Sequence, residues 1–396
     1  MRFRLAIICT ALAAAANGAV LPRQTSMTPD FDAIVVGGGP AGLSALSGLA
    51  RVRRKVLLID SGLYRNAPTR HMHDVLGFDG VTPAYFRWAA RQQLSHYETV
   101  DMINGTVTKI TPGDAQNTYF TLTTSSQSNL TARKVVLATG LRDILPSTPG
   151  IAENWGQGIF WCPWCDGHEH ADQPLGLLGP LTDVPGAVRE MVTLNSNVMA
   201  FVNGTDTPAA RAETEKKFPG WEKYLRLHGV TVDNRTITSI TRLRDGSTGH
   251  EDPSLPTVAE HDWFKVEFTQ GLPVERAAFL ASFPSEQTSN VGRDMGVQLL
   301  GGRLSADPGA GLVTNVPGVY AIGDANSDNV TNVPHALFSG KRTAVYLHVR
   351  LAREDGEKEL NGTIAKRDMD LEARSLWDAL NGEPGDLLYA GEFDSQ

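Results

Sequence analysis

The chain has 396 residues, of which 41% are hydrophobic and 20% are charged, and this length is enough for two or three domains with full-sized cores. Such a composition excludes a disulfide-dependent mini-protein and a disordered or fibrous chain. With 36 basic and 44 acidic residues, a net charge of −8 and no dense Lys/Arg stripe, nucleic acid is not expected as a partner.

The first 19 residues have the pattern of a secretory signal peptide. Arg2 and Arg4 precede an apolar run from Leu5 to about Ala16, and small residues follow at a cleavage site. The run is shorter than the roughly 20 residues of a spanning helix, so the sequence predicts export and no membrane span. Six Asn-x-Ser/Thr sequons fit a secreted or vesicular glycoprotein: Asn104, Asn129, Asn203, Asn234, Asn329 and Asn361.

A strand, a glycine-rich turn and a helix are predicted next. Phe31–Val36 is a continuous apolar run, typical of a parallel strand that is buried on both faces. Gly37, Gly39 and Gly42 then form G-x-G-x-x-G. The first glycine permits the tight turn, the second lets a pyrophosphate approach the backbone, and the third lets the helix lie close to the strand. The helix N-terminus supplies the partial positive charge that holds phosphates.

An acidic residue completes this dinucleotide pattern. A second strand, Val56–Ile59, ends in Asp60, where a carboxylate can accept hydrogen bonds from a ribose hydroxyl. Because strand, turn, helix and acid occur together, the segment predicts a bound dinucleotide and not merely a glycine-rich turn.

The pattern after this unit predicts one helix and three strands. Thr82 and Pro83 are good helix-start residues, and the helix is expected to end near His96. Alternating stretches predict short antiparallel strands at 106–110, 119–123 and 133–137.

A further Gly/Asp signal, Val319–Asp324, lies far downstream and precedes a predicted helix from about Pro334 to Leu351. The first fold is therefore expected to be interrupted by an insertion. The predicted organisation is a cofactor domain formed by 30–148 and 290–365, an inserted domain at 149–289 and an acidic C-terminal tail at 366–396.

The insertion is predicted to be a second doubly wound unit whose glycine motif is incomplete. Of its expected glycine pattern only Gly179 is present, with Leu181 and Val184 at the other two positions, so a pyrophosphate cannot approach that turn closely. No arginine cluster of the kind that grips a 2′-phosphate follows the next strand. We interpret this unit as an NAD(P)-binding-like domain that has lost its cofactor; a divergent working site is the alternative.

Cys162 and Cys165 form the C-x-x-C pair at the start of the insertion. This spacing places two sulfurs within disulfide reach at a helix start, where a lowered thiol pKa favours exchange chemistry. A zinc site would need two more ligands, and the spacing of His168 and His170 is not that of a standard finger. A purely structural disulfide would close too short a loop to stabilise much. Redox activity is therefore the favoured reading.

These motifs together resemble the low-molecular-weight thioredoxin reductase family, whose C-x-x-C-D-G motif is matched here by Cys162, Cys165, Asp166 and Gly167. Closer still is the fungal branch of gliotoxin-type dithiol oxidases, and three segments carry that likeness: Asp60–Ala67, Thr69–Gly77 and Lys134–Asp143. The resemblance covers most of 30–351. It implies an α/β fold of two Rossmann-like, doubly wound parallel-sheet domains, the second inserted in the first.

The resemblance also implies FAD as cofactor and a homodimer. In that family Cys165 would lie over the flavin, Cys162 would meet the substrate thiol, and Asp166 would be the acid/base. Asp324 would contact the ribityl chain, and the helix start at 333–336 would face the flavin ring. The cofactor-binding residues expected in this way are Gly37, Gly39, Pro40, Gly42, Asp60, Thr139, Gly140, Gly323, Asp324, Pro334 and His335.

Histidines and tryptophans near these motifs are further candidates. A histidine with a pKa near neutral can deprotonate a dithiol, and His335 and His168 are favoured over the others in the motif regions, which are His71, His73 and His170. Trp161 and Trp164 flank the cysteines, where they form either a wall of the substrate cleft or part of the core.

The first hypothesis for function is an exported, FAD-dependent dithiol oxidase. A small-molecule dithiol would form a mixed disulfide with Cys162, its second thiol would close the product, and O2 would take the electrons as H2O2. A reductase that uses a pyridine nucleotide and acts on a thioredoxin-like protein is the alternative. A non-catalytic flavoprotein that sequesters a thiol toxin is the third.

Overall fold

The computed structural model describes residues 28–247 and 257–362. The predicted signal peptide and acidic tail lie outside the described residues, as does the end of the second segment assigned to the cofactor domain. Within the described ranges, no helix combines the length and the apolar character needed to cross a membrane.

The first part of the chain alternates strands with two helices. Its elements are β1 (Phe31–Val36), α1 (Pro40–Ala50), β2 (Val56–Asp60), α2 (Pro83–Leu94), β3 (Val100–Asn104), β4 (Val107–Pro112), β5 (Phe120–Thr124), β6 (Asn129–Leu137) and β7 (Leu141–Asp143). Helix α2 begins where the sequence predicts, since Thr82 Oγ1 accepts a hydrogen bond from the backbone N–H of Tyr85.

The middle part begins with a short strand and the helical turn of the two cysteines. Its elements are β8 (Ile159–Phe160), α3 (Pro163–Asp166), β9 (Leu175–Leu178), α4 (Val184–Met191), β10 (Val198–Phe201), α5 (Pro208–Lys217), α6 (Trp221–Leu227), β11 (Thr231–Asp233), β12 (Ile237–Arg244), β13 (Trp263–Phe268), β14 (Val274–Arg276), β15 (Ala278–Ala281) and β16 (Ser285–Gln287).

The last described part contains short strands and one long helix. Its elements are α7 (Val291–Asp294), β17 (Leu299–Leu300), β18 (Arg303–Leu304), β19 (Ala306–Asp307), β20 (Val313–Thr314), β21 (Val319–Ala321) and α8 (Val333–Leu360). Helix α8 starts at the predicted position, where Asn332 Oδ1 caps the N–H of His335, but it runs nine residues beyond the predicted end at Leu351.

The first sheet joins strands from both ends of the described chain, in the order β19-β20-β21-β6-β1-β2-β3. Strand β1 lies parallel between β2 and β6, and β21 lies parallel to β6. The prediction of an antiparallel strand at 133–137 is wrong. Only the first half of β6 pairs antiparallel with β5, because its apolar second half is buried between β1 and β21.

The second sheet has the order β11-β10-β9-β15-β8, and all its pairings are parallel. A three-stranded antiparallel sheet, β12-β13-β14, packs against it through Phe264 and Val266. Two Rossmann-like parallel sheets, with helices between their strands, confirm the α/β fold class predicted from the sequence.

Helices α1 and α8 approach each other closely because glycines lie at their crossing. A Cβ on Gly340 would lie 2.3 Å from the carbonyl oxygen of Ala41, and one on Gly48 would lie 2.5 Å from the Cβ of Ala344. This packing brings the N-termini of both helices to the same edge of the first sheet, where the candidate site lies.

Candidate active site

A cleft opens at the carboxyl ends of β1, β6 and β21, the edge at which doubly wound folds bind their ligands. The turns after these strands and the starts of α1 and α8 form one wall. The opposite wall comes from the middle part of the chain and contains Trp161, Cys165 and Asp166. The cleft therefore brings the C-x-x-C segment to the glycine-rich turn, although about 120 residues separate them along the chain.

The glycine-rich turn fits the diphosphate of a dinucleotide. Gly37 has φ +117°, and a Cβ there would lie 2.2 Å from the carbonyl oxygen of Ala138, so only glycine is accommodated. A Cβ on Gly42 would lie 1.9 Å from the carbonyl oxygen of Gly37. Gly39, in contrast, faces open space with nothing within 4 Å. Helix α1 starts at Pro40 without a side-chain cap, which leaves its first N–H groups for an anion.

Two further predicted residues line the cleft beside this turn. The hydroxyl oxygen of Thr139 is buried without a hydrogen-bond partner among the described residues, and a bound polar ligand would satisfy it. Gly140 has φ +67° and open space beyond it. An unsatisfied buried hydroxyl next to an open glycine backbone fits the prediction of a cofactor at this position.

Asp60 lies behind the turn and does not line the cleft. Its carboxylate accepts hydrogen bonds from the hydroxyl of Tyr64 at 2.5 Å, from the N–H of Gly62 at 2.9 Å and from the guanidinium of Arg91. Although burial acts to raise the pKa of Asp60, these bonds together lower it. The carboxylate is thus held as an anion by protein donors, and a ribose hydroxyl would compete with them or share them.

Asp324 lines the cleft after β21 and is held by an arginine that the sequence analysis did not single out. Arg65 Nη1 donates to Asp324 Oδ2 at 3.0 Å, and its other donors bind Asp143 at 2.6 and 3.0 Å. The Arg65 guanidinium also lies 5.5 Å from the ring centroid of Trp161. Burial raises the pKa of Asp324, and Arg65 opposes that shift. Gly323 and Pro334 line the same region.

Cys162 and Cys165 form a disulfide with a Cα–Cα distance of 5.2 Å. Cys162 is the N-cap of α3 and Cys165 lies in the helix. Only Cys165 lines the cleft, whereas Cys162 lies outside the lining residues. Of the two cysteines, Cys165 is therefore the one that borders the cofactor cleft.

Asp166 follows Cys165 directly and lines the cleft. Its Oδ2 atom is buried without a hydrogen-bond partner in the described chain. Burial, with the like charges of Glu260 and Glu169, raises the pKa of Asp166 well above the usual range of an aspartate, and only Arg70 opposes them. The protonated acid is therefore favoured at a position beside the disulfide, which suits a proton donor to a thiolate.

The two histidines favoured from the sequence do not line the cleft. His335 Nε2 lies 2.7 Å from Asp328 Oδ2, and His168 is exposed. His71 and His73 do line it. His170 is buried against the ring of Phe160, with centroids 5.3 Å apart. Whether any of these histidines acts as a base stays a prediction.

The two tryptophans beside the cysteines have different environments. Trp161 stacks on Trp155 with ring centroids 5.0 Å apart and also lines the cleft. Trp164 has 69% of its surface exposed next to the disulfide. Trp161 is thus both core and cleft wall, while Trp164 is available to a ligand that approaches Cys162.

The second dinucleotide turn, between β9 and α4, is filled by its own side chains. Leu181 is fully buried, and its N–H donates to Thr205 Oγ1 at 3.1 Å. Asp183 is the residue before α4, and its carboxylate accepts a hydrogen bond from Ser282 at 2.9 Å. A carboxylate at this helix start repels a phosphate.

The sequence is similar to those of known oxidoreductases. The sequence profile of the family "Pyridine nucleotide-disulphide oxidoreductase" matches residues 31–192. A protein of Arthroderma benhamiae named "Probable thioredoxin reductase" is 45% identical over 95% of this chain and 94% of its own length. The chain belongs to the thioredoxin reductase-like family of pyridine nucleotide-disulphide oxidoreductases. It is an oxidoreductase of that family and binds FAD.

Two further relatives agree with this family, and the first of them also agrees with the expected fungal likeness. "Thioredoxin reductase tcpT" of Claviceps purpurea is 30% identical over 78% of this chain and 90% of its own. The crystal structure of HlmI has a TM-score of 0.70 and 30% identity, and the match covers 84% of this chain and 96% of that one. The family predicted from the sequence motifs is confirmed. The glycine-rich turn with Gly37, Gly39 and Gly42, which fits the diphosphate of a dinucleotide, would hold FAD.

Proposed function

We propose that this flavoprotein is a dithiol oxidase that closes a disulfide in a small-molecule, secondary-metabolite dithiol, with O2 as acceptor and H2O2 as product. One pairing carries the proposal: a disulfide faces the flavin cleft, while the turn that would bind a nicotinamide nucleotide is filled by Leu181 and carries Asp183. Thiols can therefore deliver electrons to the flavin through the disulfide. The filled turn, in contrast, leaves no position at which NADPH would bind to deliver them.

The blocked turn supports oxidation over reduction on steric and electrostatic grounds. The buried Leu181 takes the position where a glycine would let a pyrophosphate approach, and Asp183 places a carboxylate at the start of α4. The nearby Arg211 is paired with Asp206 at 2.5 Å and with Glu222 at 2.9 Å, so its charge is already neutralised before a 2′-phosphate could use it.

The chemistry assigned to the chain follows the asymmetry of the disulfide. A substrate thiolate attacks Cys162, and the Cys162–Cys165 bond breaks with its electron pair left on Cys165. The second substrate thiolate then closes the product disulfide and releases Cys162, which takes a proton from Asp166. FAD, when bound, would supply the two-electron acceptor for the cysteine pair and the electron donor to O2, and the two substrate protons would leave in H2O2.

Oxygen consumption by the purified yellow protein tests the proposal. Dithiothreitol is supplied in one reaction and NADPH in another, with Cys165→Ser as the control. Turnover with dithiol alone, lost in the variant, is the expected result. Flavin bleaching by NADPH alone would instead establish the reductase alternative, and a dithiol bound without turnover would establish a sequestering flavoprotein.

The proposal includes a route through the secretory pathway. The asparagines of all six sequons are exposed, as glycan attachment requires, and the leader pattern at 1–19 predicts export. Secretion of the full-length chain from a fungal host, with a mass decrease after glycosidase treatment, is the expected result. A homodimer is proposed from the family resemblance alone and is checked by the sedimentation mass of the secreted protein.

A further inference from the structure

A second groove lies on the cofactor domain, between helices α1, α2 and α8 and the loop that precedes α2. It has a volume of about 870 Å³, and most of its lining is apolar, including Leu43, Phe86 and Leu337. Two large apolar side chains of the groove remain in contact with solvent, since Leu76 is fully exposed and Phe338 is 56% exposed. A large apolar surface of this kind is typical of a face that binds another segment or molecule.

The charged side chains of this groove are basic. Arg51, His96 and Lys341 line it, and no Asp or Glu lines it within the described ranges. Arg51 donates to the hydroxyl of Tyr97 at 3.2 Å, and neither Arg51 nor Lys341 has a carboxylate partner in the part of the chain that the structure describes. The protein has a net charge of −8, so two cations of this kind beside an apolar groove favour a ligand that is both apolar and acidic.

The segment 369–380, which lies outside the described residues, has a sequence pattern that matches the groove. Its apolar residues are spaced i, i+4, i+7, i+8 and i+11, which predicts one stripe of an amphipathic helix: Met369, Ala373, Leu376, Trp377 and Leu380. At about 100° per residue, Asp370 borders one side of the stripe and Glu372 borders the other. The segment thus combines an apolar face with carboxylates on both of its edges.

The segment is long enough to reach the groove from the end of α8. Between Lys341 and Leu360 this helix extends about 28 Å at 1.5 Å per residue. The linker 361–368 spans about 26 Å when it is extended, and the helical path from 369 to Leu376 adds about 10 Å. The apolar stripe can therefore lie on the groove of the same molecule.

We propose that the segment 369–380 docks in this groove as an amphipathic helix, with its apolar stripe on Phe338 and its acidic edges towards Arg51 and Lys341. A second copy of this chain fits the groove less well. In a twofold interface the same patch of each subunit meets its counterpart, so Arg51 and Lys341 would face like charges. The segment instead brings carboxylates to them.

Docking at this position supports the wall of the cofactor cleft. One apolar cluster separates the cleft from the groove: Met72 and Val333 line the cleft, whereas Val75, Phe86 and Leu337 line the groove. The docked helix therefore packs behind residues that face the cofactor. This inference goes beyond the proposed function and does not depend on it, because the contact requires neither a dithiol nor O2.

Hydrogen–deuterium exchange, measured by mass spectrometry on the full-length, FAD-loaded protein, tests the docking. We expect the amides of 369–380 to exchange at least about tenfold more slowly in wild type than in Leu376→Asp, because the variant places a charge in the apolar stripe. Leu371→Asp is the matched control. Leu371 belongs to the same segment but lies on the opposite face of the predicted helix, so this variant should keep the protection.

Variants of the groove test where the segment binds. Phe338→Asp should remove the protection of 369–380, whereas Val349→Asp should keep it, because Val349 is an exposed residue of α8 outside the groove lining. Lys341→Glu alters an exposed side chain and should weaken the protection. It provides the comparison if the FAD content shows that Phe338→Asp does not fold.

Three results would overturn the proposal. The first is a wild-type protein in which 369–380 exchanges without protection, and the second is protection that Phe338→Asp and Lys341→Glu leave unchanged. The third is protection that depends on protein concentration, since docking within one molecule does not. A sedimentation mass that Phe338→Asp lowers, with the exchange of 369–380 unchanged, would assign the groove to a second copy of the chain.

Discussion

The backbone N–H of Leu181 donates a hydrogen bond of 3.1 Å to the hydroxyl oxygen of Thr205. In the first Rossmann unit the equivalent turn position is Gly39, which has nothing within 4 Å of where a side chain would begin. The same motif position is thus open in one unit and filled in the other. This contrast is the basis for the proposal that the chain binds a flavin in its first unit and no nicotinamide nucleotide in its second.

Truncation of Leu181 tests whether this filled turn is structural core. Leu181→Ala is expected to lower the free energy of unfolding by about 2–5 kcal/mol because it leaves a cavity, and NADPH oxidation is expected to stay at background because Asp183 remains. Leu227→Ala is the control, since Leu227 is 72% exposed, with an expected loss below about 1 kcal/mol. NADPH-dependent turnover in Leu181→Ala would contradict the assignment. Urea denaturation and absorbance at 340 nm measure the two effects.

Alanine substitutions at two glycines of the first turn are expected to have different effects on FAD binding and on stability. Gly39→Ala should fold but lose FAD, because its Cβ enters the open space at the turn. Gly37→Ala should lose stability as well, because its φ of +117° and the 2.2 Å approach to Ala138 both exclude a side chain. Gly186→Ala, within α4 and with open space around it, should keep FAD. Flavin absorbance and the apoprotein melting temperature distinguish these outcomes.

Arg70 is expected to hold the C-x-x-C part of the chain against the cleft. Arg70→Met leaves Glu260 and Asp262 buried without this cation, and breaking such a buried pair costs about 3–5 kcal/mol. Arg142→Met removes an exposed pair with Glu286 and should cost less than about 1 kcal/mol. Equal melting temperatures for the two variants would contradict a stabilising role for Arg70.

Asp166→Asn is expected to change both catalysis and the pH dependence of stability. Because the pKa of Asp166 is raised in the folded protein, the folded state binds this proton more tightly than the unfolded state. Its contribution to stability is fully present below the unfolded pKa of about 3.9 and is lost as pH rises through the folded pKa. The variant keeps a neutral side chain, so it should gain stability relative to wild type as pH increases.

Melting temperatures from pH 5 to 9 measure this difference, and a constant offset between the two proteins would contradict a raised pKa. In the same samples Asp166→Asn should slow dithiol-driven flavin reduction about 100-fold, the usual range for loss of an acid/base. Flavin absorbance shows whether the variant retains FAD.

Cys162→Ser and Cys165→Ser should both abolish turnover. The two variants should nevertheless differ in their flavin absorbance before any substrate is added. Cys165 lines the cleft and Cys162 does not. Cys162→Ser therefore leaves a thiol at the flavin, and a long-wavelength absorbance band is expected when that thiol ionises. Cys165→Ser should lack the band. The band in Cys165→Ser and not in Cys162→Ser would reverse the assigned roles of the two sulfurs.

The local features of the site could be predicted from the sequence because short-range spacing determines them. The glycines after β1 and the pair Cys162 and Cys165 occupy a few consecutive positions, where strand, turn and helix preferences are visible directly. The fold class and the damaged second turn follow from the same patterns. In contrast, strand β6 changes from antiparallel to parallel neighbours along its length, and no local pattern records which strands will flank it.

Only the tertiary structure decided which side chains share the buried site. Arg70 and Glu260 are 190 residues apart in sequence, and their contact depends on how the second sheet packs on the first. In the sequence, His71 and His73 are typical of an ordinary polar loop. Only the folded structure shows that Glu260 and Glu169 lie next to them. The sequence by itself determined the local cofactor and disulfide chemistry, whereas long-range packing decided the proton-bearing groups around it, since burial and charge pairing arise only from contacts between distant segments.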